Sequence, residues 1–361
     1  MDGNPRTLEP KPIPKKNLGK MKLYLQSKFM QASEGEWEQY QLINHYPGLN
    51  LSSSSYMGHG QAKRIKAEDL YPEDFVIAVM GPSGSGKTTF INFATGLQSG
   101  FRYSQQYTNE VDIIRLPVPG SSNIVFVDIP GFDDGDKSDA DTLKMIGDWL
   151  AKTYRRKIML GGILYFHRIS DNRVGGGSLK NLSMFEALCG KTMLQNVILT
   201  TTMWDGIDEQ IAMMREGQLK EMYWARILEQ GSTTKRFLGT KQSAFQVLET
   251  LFNTPSDLQP LLIQKEIVDE HMELNETTAG RKLRSDLKEI TKKHRGLLRR
   301  MRTQLKPTKD GDSGNFMVLK EEYEDLKELT NLVAYNVQQL ELPVGQRIAR
   351  MAATAFGLKF H

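Results

Sequence analysis

Gly81-Pro82-Ser83-Gly84-Ser85-Gly86-Lys87-Thr88 fits the spacing G-x-x-x-x-G-K-[ST] at every fixed position. The pattern is built to hold phosphate. Glycines let the backbone curl so that several N–H groups point inward at an anion, helped by the N-terminus of the helix opening at Thr89. Lys87 adds a mobile positive charge for β- and γ-phosphates, and the Thr88 hydroxyl is placed to ligate Mg²⁺. A second run, Val125-Phe126-Val127-Asp128-Ile129-Pro130-Gly131-Phe132, ends a strand in D-x-x-G forty residues beyond Thr88. Asp128 can hold Mg²⁺ through a water, and the Gly131 N–H can sense a γ-phosphate. Between the two runs, Thr108 directly precedes an apolar stretch and is the candidate to close over Mg²⁺ and the γ-phosphate; Thr95, Ser99 and Ser104 are its competitors.

Base choice rests on Thr202-Met203-Trp204-Asp205. A carboxylate at the end of that strand can accept hydrogen bonds from N1–H and the exocyclic amine of guanine, a pair adenine does not offer. Here the chain resembles the septin-like and AIG1-type (immune-associated) GTPases within the translation-factor-related P-loop class. The resemblance rests on Gly81–Thr88, Asp128-Ile-Pro-Gly-Phe-Asp-Asp134 and Thr202–Asp205. Among these it looks closest to the G-domain-containing proteins of filamentous and mushroom-forming fungi, which are similar also in Tyr165-Phe-His-Arg-Ile-Ser-Asp171 and in a long C-terminal helix. The similarity covers roughly residues 74 to 300. It implies GTP/GDP and Mg²⁺ as ligands and a homodimer across the nucleotide face. Two positions depart from the usual pattern. Met203 replaces the lysine of [NT]-K-x-D, although a thioether still covers a ring face. Phe132 stands where small GTPases place a water-orienting glutamine, which implies slow hydrolysis or help from a partner. His167, Arg168, Asp171 and Arg173 cluster beside Gly175-Gly-Gly177. Arg173 is the candidate to reach a phosphate, against a structural pairing with Asp171. A last base contact falls near Gly239-Thr240 by position alone.

The elements that must position these residues are legible as apolar runs. Phe75–Met80, Val111–Val118, Asn123–Ile129, Gly162–Ile169, Asn196–Met203 and the shorter Lys235–Thr240 read as strands. Helical spacing fills the gaps, as at Leu143, Ile146, Leu150 and at Leu219, Met222, Ile227. Strands alternating with helices predict an α/β fold: a doubly wound, mostly parallel sheet of the P-loop NTPase type, with the nucleotide at its carboxyl edge. From Leu283 to Met301 and again from Leu319 to Leu340 apolar residues keep heptad spacing, broken at 307–314. Arg281–Lys306 holds eleven basic and two acidic residues, whereas Lys320–Glu328 holds five acidic and two basic. That contrast predicts an antiparallel helical hairpin, with dimeric pairing as the alternative.

The chain divides into a mostly disordered basic region over 1–70, a nucleotide-binding domain over 71–257, the helical hairpin over 258–342 and an amphipathic tail over 343–361. In the first region Pro5, Pro10, Pro12 and Pro14 stand among lysines through Lys20, and Met21–Tyr46 can hold a short helix. Tail and hairpin offer basic surface for peripheral membrane contact, though solvation is the preferred reading, and no nucleic-acid partner is favoured. The net charge of +4 argues for no particular partner. One cysteine, Cys189, fits a reducing compartment. No apolar run nears the roughly 18 residues of a membrane span, and the cytosol is the expected location. The expected activity is a guanine-nucleotide switch with slow, Mg²⁺-dependent GTP hydrolysis. The competing expectation is a nucleotide-binding scaffold with negligible turnover, whose C-terminal helices meet an effector. An ATP-dependent enzyme is a third.

Overall fold

A computed structural model describes residues 15–30, 61–97, 111–132, 138–171, 175–254, 258–305 and 313–341. Seven strands form one sheet: β1 Lys63–Arg64, β2 Phe75–Met80, β3 Asp112–Leu116, β4 Ile124–Asp128, β5 Leu160–Arg168, β6 Val197–Thr202 and β7 Thr233–Arg236. Their order is β1-β3-β4-β2-β5-β6-β7. β2 lies parallel to β4 and β5, and β6 lies parallel to β5 and β7. Only β3 runs against the others, antiparallel to β4 and to the edge strand β1. Every residue of β2, β4 and β6 is buried. Continuous apolar runs demand this, because both faces of such a sheet are covered.

The principal helices are α1 Lys15–Met30, α2 Lys87–Thr95, α3 Asp139–Arg155, α4 Gly176–Cys189, α5 Glu209–Gln218, α6 Lys241–Asn253, α7 Thr278–Gln304 and α8 Ser313–Gln339. One core packs α1, α2 and α6 against Ile77, Val79, Phe126 and Phe166. On the other face Leu143 and Ile146 of α3, Phe185 and Leu188 of α4 and Leu283 and Leu287 of α7 meet Val76, Ala78 and Ile163. The carboxyl edge between these layers is where β2, β4, β5 and β6 all end.

Several boundaries differ from the expectation. Residues 63–70, inside the stretch expected to be mostly disordered, supply β1 and the buried Leu70, and the last strand is Thr233–Arg236 rather than Lys235–Thr240. The N-terminal helix begins at Lys15, inside the stretch read as a tail, because Leu18, Met21 and Leu25 step by three and four and are all buried. It packs on α6, with Lys22 2.8 Å from Glu249. The helix expected through Leu219, Met222 and Ile227 is broken instead: α5 ends at Gln218, a wide turn spans Leu219–Tyr223, and Met222 is 70% exposed.

The two long C-terminal helices pack on each other as an antiparallel hairpin. The base of α7 is fastened to the domain. Thr277 caps it by accepting from the Gly280 N–H at 3.0 Å, and buried Glu266 accepts from the Thr278 N–H at 2.9 Å. A carboxylate at that end also suits the helix dipole. Charge pairing contributes little to the hairpin: between α7 and the end of α8 the described ion pair is Lys288–Glu341 at 2.7 Å. Apolar packing through Leu283, Leu287, Val337 and Leu340 carries it.

Candidate functional site

The loop between β2 and α2 takes three glycines into left-handed backbone: Gly81 at φ 135°, Gly84 at 71° and Gly86 at 90°. Gly81 is also a close approach. A Cβ there would sit 2.4 Å from the Phe166 carbonyl oxygen of β5. The backbone conformation and this crowding together restrict the position to glycine. Lys87 begins α2 and turns back, its Nζ donating to the carbonyls of Gly81 and Pro82 at 3.0 Å each. Pro82 and Ser85 are buried, Ser83 is half-buried, and Thr88 and Thr89 are exposed at the helix start.

Asp128, at the end of β4, meets this loop. The Thr88 hydroxyl donates to Asp128 Oδ2 at 2.5 Å. Burial pushes the Asp128 carboxyl above its ordinary range, against the pull of the Lys87 charge and the Thr88 hydrogen bond. Its other oxygen, Oδ1, is buried and takes no hydrogen bond, and the Ser85 hydroxyl is buried in the same condition. Buried polar atoms are ordinarily paired. A buried carboxylate oxygen with open lone pairs beside a threonine hydroxyl is a hard, oxygen-only donor set, and it fits Mg²⁺.

Thr202, the last residue of β6, braces the loop from the side. Its hydroxyl lies 2.8 Å from the Ser85 carbonyl and 3.3 Å from that of His167. The loop is thus held by a hydroxyl where the usual motif uses a longer side chain. Met203 follows in left-handed backbone, φ 57°, with its side chain exposed at the open edge of the sheet. A non-glycine residue in that region costs on the order of 1–3 kcal/mol and is kept where the surroundings fix it. Trp204 provides the fixing. Its Nε1 donates to the Thr201 hydroxyl at 3.2 Å, and Arg236 of β7 lies 4.2 Å over its ring. Arg236 in turn makes two hydrogen bonds to Glu216 of α5, at 3.1 and 2.7 Å. Burial pushes the Glu216 carboxyl up, but bonds from Arg236 and Lys220 outweigh it, so the group stays ionised at lower pH than usual. Asp205 comes next and is exposed, at the same edge as the phosphate loop.

β5 contributes a cation. Arg168 pairs in parallel register with Thr202, and its Nη1 lies 3.2 Å from where a Cβ on Gly84 would stand. Its Nε is 3.0 Å from Asp171 Oδ1. Among the described residues Asp171 pairs with Arg168, whose guanidinium lies against the loop. His167 beside it is buried, and burial holds its imidazole down at about 4, hence neutral near pH 7. Thr108 and Arg173 lie outside the described residues, as do the tails at 1–14 and 343–361.

Gly131 is buried next to Phe132, whose side chain is 4% exposed in the core and does not face the loop. The Phe132 N–H donates to Asn181 Oδ1 at 2.9 Å, so α4 holds the segment after Asp128. Asn181 was not singled out from the sequence. The signal in the sequence is an amide among the buried residues of a mostly apolar helix. Gly239 adopts φ 67° and Thr240 caps α6, which gives the turn near the expected last base contact a defined shape. At the opposite end of the sheet an open depression bounded by Tyr71, Asp74 and Asn123 is built around the Arg115–Asp74 pair at 2.7 Å, away from all of these groups. Among the described residues no His, Cys, Asp and Glu cluster has metal-binding form.

Residues 76–163 match the model of a family described as 50S ribosome-binding GTPases. The fold is a G domain. Among solved structures the chain is similar to Toc33 from Arabidopsis thaliana in complex with Mg²⁺ and GMPPNP, at 15% identity and TM-score 0.41, over 50% of this chain and 84% of that one. It is similar also to the G domain of the T. maritima FeoB iron transporter, at 17% identity and TM-score 0.30, over 50% and 98%. A variant of Era from Aquifex aeolicus bound to GDP·AlF4⁻ shows 13% identity and TM-score 0.37, over 52% and 59%. No curated protein matches the sequence.

Proposed function

We propose that this chain binds GTP and GDP with Mg²⁺ and hydrolyses GTP slowly, as a switch. One observation carries the reading. The Thr88–Asp128 pair, Lys87 and the Thr202–Asp205 run lie at one end of the sheet, with an unpaired Asp128 oxygen beside Thr88. Backbone N–H groups of Gly81–Thr88 hold the β-phosphate, and Lys87 and Arg168 supply countercharge. Thr88 and Asp128 would hold Mg²⁺, with Thr108 as the further candidate ligand, and the ion would supply countercharge to the phosphates. Asp205 accepts from guanine, Met203 covers the ring, and Thr202 keeps the loop in register with the base site. Gly131 offers its N–H to the γ-phosphate, so the segment tied by Asn181 reports on that group.

Slow turnover follows from Phe132, which points into the core and cannot orient water. The same observation supports the second reading, a nucleotide-binding scaffold. We assign the chain to the septin-like and AIG1-type group, and a dimer across the nucleotide face, in which Arg173 reaches a phosphate, would supply the missing acceleration. Single-turnover hydrolysis over a range of protein concentrations tests this. A rate that rises with concentration and falls in Arg173→Ala supports dimer activation. Tight GTP binding with no turnover at any concentration leaves the scaffold.

A further inference from the structure

Among the described residues, a single-signed basic surface outside the nucleotide site runs along α7. Lys292, Arg295, Arg299 and Arg302 are all exposed. They step by three, four and three residues and so share one face of the helix. Lys288 and Arg284 continue the line at the same spacing, giving about 27 Å in all at 1.5 Å per residue. Those two have partners, Glu341 at 2.7 Å and the Leu340 carbonyl at 3.5 Å. The four distal residues pair with no acid among the described residues. The acids of α7 are engaged elsewhere, Asp286 with Lys282 at 2.9 Å and Glu289 with Lys293 at 2.8 Å. On α8, Glu324 pairs within its own helix, with Lys327. Glu321, Glu322, Asp325 and Glu328 of α8 are exposed and form no ion pair with the row among the described residues.

We propose that this row is a docking surface for an anionic bilayer. A straight line of charges on a rigid helix meets a flat surface along its whole length at once. A nucleic-acid groove fits it poorly. The major groove is about 12 Å wide and admits one helix, whereas α8 is packed along α7 and makes the unit two helices wide. α7 also carries no Phe, Tyr or Trp to stack on a base. Lipid headgroups need neither groove nor stacking, and each basic side chain near such a surface adds attraction that falls off within a Debye length. The inference is independent of the guanine assignment.

The test is cosedimentation of the full chain with phosphatidylcholine vesicles, with and without phosphatidylserine, at low and high salt. Binding is expected only with phosphatidylserine and is released by salt. Replacing Lys292, Arg295, Arg299 and Arg302 together by Ala should weaken it by at least about 100-fold, while an all-lysine version of the row retains it. A control lacking Lys66, Arg155, Lys191 and Lys241, with the same net charge, should bind like wild type. GDP binding unchanged in the row variant establishes that it is folded with its nucleotide site intact. Equal loss in the control, or equal binding to neutral vesicles, overturns the proposal. So does tight binding of an RNA or DNA duplex that depends on the row while vesicles are ignored, and that result assigns the surface to nucleic acid.

Discussion

Arg236→Ala should reduce guanine selectivity while leaving the phosphate loop competent. The arginine never reaches the nucleotide in the geometry above; it acts through Trp204, which stands between Met203 and Asp205. Two contributions are lost with it. The stack over Trp204, with Arg236 about a third exposed, is worth about 1 kcal/mol. Glu216, 6% exposed, is left with Lys220 alone at 3.2 Å. Removing one charged partner from a buried carboxylate costs about 1.5–3 kcal/mol. Local stability should therefore fall by roughly 2–4 kcal/mol. Only part of that is felt at the base: if about 1.4 kcal/mol is transmitted, GTP affinity drops about tenfold and ATP affinity stays put. Titration of fluorescent GTP and ATP analogues against both proteins reads the ratio directly. A cycle with Trp204→Leu should show a coupling of at least about 0.5 kcal/mol in GTP binding. A folded Arg236→Ala protein with the wild-type GTP-to-ATP ratio, or strictly additive effects in the cycle, would refute the brace.

Gly81→Ala meets the Phe166 carbonyl at 2.4 Å in left-handed backbone, so thermal stability and nucleotide binding should both fall, measured by melting with and without GDP. Asn181→Leu strands the buried Phe132 N–H and should cost about 1–3 kcal/mol, with faster hydrogen exchange at Phe132; unchanged protection there would remove α4 from control of the segment. His167 carries a pH signature. Its folded pKa of about 4 lies below the ordinary 6.5, so the unfolded chain takes up the proton first. Stability present above about pH 6.5 is then lost progressively toward pH 4, by about 3 kcal/mol in all. Denaturant titrations of His167→Gln should lack that part of the slope.

The phosphate loop is legible because strand, glycines and helix are contiguous, so the motif's fixed positions place Lys87 and Thr88. Asp128 and Asp205 followed because each ends an apolar run, and parallel strands deliver their ends to one edge. Side chains acting across elements were harder to see. Arg168 is legible in the sequence only as one of a cluster; the strand runs on to it, and its Nη1 lies 3.2 Å from where a Cβ on Gly84 would stand, while Arg173 lies outside the described residues. The Trp204–Arg236–Glu216 chain joins three elements through contacts that no local pattern encodes. The start of α1 was hidden by composition, since prolines and lysines mask the Leu18, Met21, Leu25 stripe. In the hairpin, opposite charge suggests the pairing of α7 with α8, yet the packing is mainly apolar, and among the described residues the distal basic residues form no ion pair across it.

Equilibrium affinities for GTP and ATP in Mg²⁺, wild type against Asp205→Ala with Lys87→Ala as the phosphate-site control, test the guanine assignment most directly. GTP should bind at least about tenfold tighter than ATP, the preference should vanish in Asp205→Ala, and Lys87→Ala should weaken both nucleotides. Equal affinity of the wild-type protein for GTP and ATP would contradict it.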